Sequence, residues 1–419
     1  MTSTALPDNA FELDLTADYS ALAARFRPVF DRIRAGAVQR ERDRVLPFEQ
    51  IGWLKEAGFG AVRLPVSSGG AGASIADLTR LLIELSAADS NITQALRGHF
   101  AFAEDRLVAA AGVERDRWWS RFAAGELAGN AWSEIGDVAL GETNTKVWPT
   151  DSPDIFEVTG QKFYSTGTIF ADWVDLYAQR ADTGELVIAA VSAHADGVSH
   201  SDDWDGFGQR TTASGTSTYR NARVPRENLI PFESRFRYQT SFYQLFHLAT
   251  LAGIARAATD EVARQVRART RTFSHGNGPR YAGDPQIQQV VGEVSAAAFA
   301  AEAIALRAAD DVQRAHDAAL GDDPDRDRIA NADAELSTAR GQVVATRIVV
   351  EATGKLFDAL SASGVRADAA LDRFWRNART VSSHNPTVFK AKVVGDHEIN
   401  GTEPVYVWAI GTAPVTDDK

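Results

Sequence analysis

Three long alanine-rich stretches between residues 235 and 395 limit what this chain can fold into: "LATLAGIARAATDEVARQVRART", "QQVVGEVSAAAFAAEAIALRAADDVQRAHDAAL" and "DAELSTARGQVVATRIVVEATGKLFDAL". Their apolar residues recur at helical spacing, and each stretch exceeds the length of an average helix. Helices this long reach burial by lying side by side, so a bundle is predicted over 235–419. The spacer "GDDPDRD" is the turn between the last two. Apolar residues fall on more than one face of these helices, which leaves surface to pack against another subunit.

The rest of the chain has two other textures. Residues 16–125 repeat with helical period, as in "DYSALAARFRPVFDRIRAGAVQRER" and "SIADLTRLLIELSAADS", interrupted by the Gly/Ser-rich loop "LPVSSGGAGAS" at 64–74. Residues 127–230 contain short β-branched and aromatic runs, among them "DIFEVTGQKFYSTG", "WVDLYAQR", "ELVIAAVSAH" and "TSTYRNARVP". Gly, Asp and Pro separate them, which predicts an antiparallel sheet. The expectation is an α+β fold, mainly α: an N-terminal helical domain (1–126), a central β domain (127–234) and a C-terminal four-helix bundle with a tail (235–419).

Composition removes several functions. The formal charge is −12 with no basic run, which argues against nucleic acid or an anionic membrane as partner. There is no cysteine, so disulfides, thiolate catalysis and cysteine-held metals are excluded. No HxxxH or HExxH spacing occurs, and no metal site is expected. No run reaches the length of a membrane span, and the N-terminus lacks a basic start with an apolar core, so a cytoplasmic protein is expected.

Helices, then a small β block, then a helical bundle is also the layout of the acyl-CoA dehydrogenase superfamily. The chain resembles that superfamily at "RLPVSSGGAGASIADLTRLLIELSAADSN", at "GQKFYSTGTIFADW" and at "GFGQRTTASGTSTYRNARVP". Its dehydrogenases need a carboxylate to remove a proton beside the thioester, placed near the end of the bundle or on the first helix after the sheet. Here neither 381–390 nor 234–259 contains Asp or Glu. Without that base, dehydrogenation is disfavoured by chemistry.

The resemblance is closer to the superfamily's flavin-dependent monooxygenase branch, especially dibenzothiophene monooxygenases and their sulfur-scavenging relatives. The matching stretches are "GHF" (98–100), "GNAWSE" (129–134), "KFYSTG" (162–167), "DDWDGFGQRTTASGT" (202–216) and "DRFWRNART…HNP" (372–386). It implies a two-component, homotetrameric enzyme using O2 and reduced FMN from a separate NAD(P)H:flavin reductase. The implied substrate is a small, rather apolar heteroatom compound, foremost an organosulfur one. An aromatic hydroxylase or N-hydroxylase is the rival, and an acyl-CoA dehydrogenase the distant one.

The same resemblance assigns residues. His384 and His99 match active-site histidines, His384 as a proton donor or an orienting group. Ser165 is placed to bond the central-ring nitrogen of the flavin, with Thr166 beside it; otherwise Ser165 is a turn serine. Asn130 and Ser133 bring donors to the flavin, and Trp132 flanks its ring or sits in the core. Ser214, with Thr216, bonds the flavin or only forms a turn. Arg271 corresponds to an arginine that reaches the flavin phosphate, often from a neighbouring subunit, with Arg269 as a rival. The segment "SGVRAD" (363–368) departs from the family, which has an arginine nearer Asp368; Arg366 is the substitute.

Overall fold

The computed structural model describes residues 19–407 apart from positions 137 and 140, so the extremities of the two outer expected domains lie outside the described residues. The described chain begins with α1 (Tyr19–Ala35), α2 (Ala37–Asp43), α3 (Phe48–Glu56), α4 (Ile75–Ala95), α5 (Arg97–Val108) and α6 (Val113–Ala123). The Gly/Ser loop ends where Ser74 caps α4, its Oγ accepting from the Asp77 backbone while the Asp77 carboxylate accepts from the Ser74 backbone.

One residue interrupts α4. Asp89 has extended dihedrals (φ −160°, ψ 106°), and its Oδ1 accepts the Asn91 backbone N–H at 3.1 Å. It therefore acts as the N-cap of a second helical stretch. Its other oxygen takes the Arg40 guanidinium at 2.9 Å. Beyond this break the chain is re-aimed toward the sheet.

The sheet contains β1 (Ala128–Ala131), β2 (Lys146–Pro149), β3 (Ile155–Lys162), β4 (Trp173–Arg180), β5 (Leu186–Ser192), β6 (Val198–His200), β7 (Ser217–Pro225) and β8 (Leu229–Pro231). Its order is β6-β7-β3-β2-β4-β5-β8, with β1 also paired to β4. The expected antiparallel sheet is in fact mixed, because β1 and β2 both run parallel to β4 along one of its edges. β1 pairs with Trp173–Leu176, and β2 with Gln179 and Arg180. The chain leaves this edge at Trp132 and returns at Lys146, and the residues between them form a loop. Strand propensity carries no direction, so sequence could not show this.

Side chains alternate across β5: Val187, Ala189 and Val191 join the sheet's own core, whereas Ile188 and Ala190 pack with Phe102, Trp118 and Phe122 of α5 and α6.

The long helices are α7 (Gln239–Ala268), α8 (Pro285–Ala319) and α9 (Pro324–Lys355), followed by α10 (Ser361–Gly364), α11 (Asp372–Ser382) and α12 (Thr387–Asn400). Asp284 and Asp323 cap α8 and α9, each followed by a proline in the first turn. α7 runs through the middle, packed by α4, α8, α9 and α11. α8 is, by length and composition, apolar enough to cross a membrane, although no such span was expected from the sequence. It lies along α7 and α9 as a bundle helix, with Phe299 77% exposed on its outer side.

Candidate functional site

The sheet and the bundle meet where α4 passes into α5. The contact is close enough to require glycine twice. A Cβ on Gly167 would lie 1.9 Å from the Ala95 carbonyl oxygen, at a φ of +75° that itself favours glycine. A Cβ on Gly98 would lie 2.7 Å from Asn130 Oδ1. These two approaches bring Ser165, Thr166 and Asn130 against the 94–99 segment.

Ser165 is buried, its backbone N–H donates to Gly215 O at 2.9 Å, and its Oγ has no partner among the described residues. Asn130 Oδ1 is likewise buried and unpartnered, while its backbone oxygen accepts from Thr168 at 2.9 Å. Ser214 Oγ lies 2.8 Å from both Thr166 Oγ1 and Thr212 Oγ1. Thr166, Thr212 and Ser214 thus form one hydroxyl cluster next to Ser165 in the chain. Thr216 does not join it: its hydroxyl and backbone N–H both donate to Asp203.

Trp132 is half-buried and donates to Asp175 Oδ1 at 3.1 Å. Its ring stacks on Tyr177 and meets Tyr243 edge-on at 6.2 Å. Ser133 contributes its backbone, its carbonyl accepting from Phe163 N–H at 2.8 Å. Glu134 roots the loop that follows. Its carboxylate accepts from buried Lys162 at 2.7 Å, from the hydroxyls of Thr143 and Thr145, and from the backbone of Asn144. These bonds outweigh its burial and hold its pKa down to about 2.

On the bundle side, His384 follows α11, and its ring lies 4.3 Å from that of His247 on α7. His384 is exposed as a residue; desolvation of its ring by the neighbouring chain, with the Arg97 guanidinium, lowers its proton affinity. His247 is fully buried; burial first, then His384, Arg97 and Lys390, push it well below the ordinary imidazole value. Gln94 Nε2 lies 3.4 Å from His247 Nε2. Both rings are thereby held neutral at working pH, so His384 can donate or accept a hydrogen bond but is not a stored cation.

His99 is corrected. It is 1% exposed, its Nε2–H donates to Gly60 O at 2.8 Å, and its Nδ1 accepts the Ala128 backbone N–H at 3.2 Å. Both nitrogens are committed to backbone, which fixes one neutral tautomer, and burial lowers its pKa to about 4. It ties α5 to β1 and to the 59–61 turn. It has no nitrogen free for a substrate.

The arginines stand apart from this cluster. Arg269 bonds Leu360 O and Ser363 Oγ and lies over the Tyr281 ring, so it serves the end of α7. Arg271 is exposed just past that helix. Arg366 is exposed and pairs with Asp368 at 2.8 Å. Neither Arg271 nor Arg366 has a hydrogen bond, ion pair or ring contact to the Ser165–His384 cluster among the described residues.

His247, Gln94, Arg97 and Tyr243 complete the site and were not anticipated. The available signal was a polar residue inside an otherwise apolar helical run, as in "FHLATL" and "QALRGHF". Lys390 borders the site as well, facing buried Glu335 of α9; burial raises the carboxyl and lowers the amine. The charges acting on His247 and His384 come from Arg97, Lys390 and imidazole, with no carboxylate among them. These residues offer amide, hydroxyl, imidazole and indole groups, with Arg97 and Lys390 as the cations.

Comparison with known proteins gives the same fold. The family described as "Acyl-CoA dehydrogenase, C-terminal domain" matches residues 245–389. A dibenzothiophene monooxygenase of Rhodococcus erythropolis is 25% identical, covering 90% of this chain and 93% of its own. A probable FMNH2-dependent monooxygenase, SfnC, of Pseudomonas putida is 26% identical, covering 88% and 92%. The FMN-bound crystal structure of TdsC from Paenibacillus sp. A11-2 superposes with a TM-score of 0.83 at 26% identity, covering 93% of this chain and 99% of that one. The chain has the acyl-CoA dehydrogenase fold, and its likeness to the monooxygenases runs through nearly all of it.

Proposed function

We propose that this protein is a reduced-FMN-dependent monooxygenase that transfers one oxygen atom from O2 to the sulfur of a small organic compound. The observation that carries the reading is the pair of neutral imidazoles, His247 and His384, standing where a dehydrogenase of this fold needs a carboxylate base. Two buried oxygens without partners, Ser165 Oγ and Asn130 Oδ1, fit a polar ring system that is bound and released. Such atoms are costly when left unpaired, and the edge of a flavin would satisfy them.

When bound, reduced FMN supplies two electrons and activates O2. The chain's own residues do the rest. Ser165 and Asn130 orient the ring, and Trp132 with Tyr243 keeps bulk water out of one side. His384, in contact with His247, would offer a neutral N–H or lone pair for proton delivery or orientation.

Because the flavin is consumed in its reduced form, a separate NAD(P)H:flavin reductase is the expected partner, and both belong in the cytoplasm. A homotetramer is the expected assembly, supported by the uncovered apolar side of α8 around Phe299. In it, Arg271 of one copy would reach the flavin phosphate of another.

The test is anaerobic titration with reduced FMN, followed by 18O2 and mass analysis of an offered organosulfur compound. One labelled oxygen per product molecule is expected. Isolation with tightly held FAD and electron transfer from an acyl thioester would replace this reading by dehydrogenation.

A further inference from the structure

Among the described residues six arginines are buried: Arg40, Arg63, Arg97, Arg106, Arg115 and Arg235. Five have a carboxylate within reach. Arg40 has Asp89 at 2.9 Å, Arg63 has Glu104 at 2.9 Å, Arg106 has Asp105 at 2.6 Å, Arg115 has Asp116 at 3.0 Å and Arg235 has Asp175 at 3.1 Å. Arg97 is the exception. It is 6% exposed, has no hydrogen bond or ion pair among the described residues, and its Nε is sealed from water without a partner. Its guanidinium lies 4.8 Å from the Tyr243 ring centre and acts electrostatically on His247 and His384.

Burying a cation with no counter-charge is strongly unfavourable, and one aromatic face offsets only a small part of that. The neighbouring imidazoles carry no negative charge in either protonation state and so cannot balance it. A chain that pairs its other buried arginines leaves this one for something that arrives.

We infer that Arg97 is the specificity residue for an anionic substrate, so that the compound oxygenated here carries a two-oxygen anionic head: a sulfinate, whose own sulfur is oxidised, or a carboxylate beside the reacting sulfur. This rests on the S-oxygenation reading above and alters the sequence-based expectation of a rather apolar substrate. A guanidinium presents parallel N–H donors that match two oxygens on one atom, a geometry that an ammonium cannot copy. Tyr243, against the guanidinium, and Trp132 next to Tyr243 supply aromatic surface suited to a short organic tail. For a sulfinate the reaction balances as RSO2⁻ + O2 + reduced FMN → RSO3⁻ + H2O + oxidised FMN. For a carboxylated thioether the sulfur gains the same single oxygen to become a sulfoxide, and the carboxylate is unchanged.

Equilibrium binding tests this without turnover. Ethanesulfinate, (methylthio)acetate and the neutral dimethyl sulfone are titrated into the protein with FMN present, following tryptophan fluorescence. The wild type should bind at least one anion at least ten times more tightly than the sulfone, and which anion it prefers identifies the head group. Arg97→Gln should lose that preference by about 10- to 100-fold, the range of a charge-assisted hydrogen bond. Arg97→Lys should recover only part of it. Arg97→Gln should melt no lower than the wild type, because an unpaired buried charge has been removed. Equal binding of anions and sulfone by the wild type overturns the inference. So does an Arg97→Gln protein that keeps the preference, or one whose affinity for reduced FMN falls by the same factor. Selective anion binding with no labelled oxygen in any product would instead retire the monooxygenase reading and the oxygenated anion with it, leaving Arg97 as an anion-binding residue only.

Discussion

Replacing His99 with glutamine separates a structural histidine from a catalytic one by its dependence on pH. An imidazole free in the unfolded chain takes up a proton near 6.5, whereas burial holds His99 at about 4 in the fold. Below 6.5 the unfolded state therefore binds more protons than the native state, and stability falls as the pH falls. The contribution is fully present above the unfolded value and is lost progressively toward the folded one. From those two values, linkage gives a loss of about 2 kcal/mol between pH 7 and pH 5 from this residue alone. The glutamine side chain would have nothing to protonate. At pH 7 His99→Gln should be the less stable protein by about 1–3 kcal/mol, since the bonds to Gly60 and Ala128 are replaced imperfectly. At pH 5 the gap should narrow by about 2 kcal/mol. Urea unfolding at the two pH values measures both gaps, and oxygen consumed per product formed is followed on the folded variant at pH 7.5. A gap unchanged between pH 7 and 5, or product yield per oxygen that collapses in the variant, would refute the structural role.

His384→Ala should still consume oxygen with reduced FMN, while product falls by about 10²–10⁴-fold and hydrogen peroxide rises in its place; normal coupling would remove His384 from the chemistry. In the wild type, coupling should stay flat from pH 6 to 8 because burial and Arg97 keep both imidazoles neutral, and an acid limb near 6.5 would contradict that. Ser165→Ala should weaken reduced-FMN binding by about 1 kcal/mol without lowering the melting temperature of the flavin-free protein, since the hydroxyl has no partner to lose. Gly167→Ala should destabilise the fold and weaken flavin binding together, because its new Cβ meets the Ala95 carbonyl and shifts the Ser165 turn; a variant of wild-type stability would show that this contact is looser.

Much of the architecture is written in short-range pattern. The spacing of "SAAAFAAEAIALRAADD" leaves little choice but a long helix, and the alternation in "ELVIAAVS" marks a strand. What pattern lacks is direction and partnership. Nothing local to "GNAW" shows that Asn130 pairs parallel to Asp175, 45 positions further on. The histidines illustrate the same limit. His384 stands out because no carboxylate surrounds it, whereas His247 is hidden in an apolar helix and His99 sits in a family motif. Only the fold shows that one carbonyl, Gly60 O, and one amide, Ala128 N–H, have taken up His99. Arg97 was legible in principle as a charge inside a buried run, but its lack of a partner is a property of the whole molecule.

The shared edge of β4 bears on how this protein could diverge. Because β1 and β2 each hold their own register on β4, the intervening chain is under no obligation to keep its length. Glu134 draws Lys162, Thr143, Asn144 and Thr145 to a single carboxylate and so pins both ends of that segment at its base. Insertions and deletions between 135 and 142 would then leave the registers of β1 and β2 on β4 undisturbed. They would change only what hangs beside Trp132. Lineages seeking new substrates could lengthen, shorten or swap this one stretch without rebuilding the strands on either side of it.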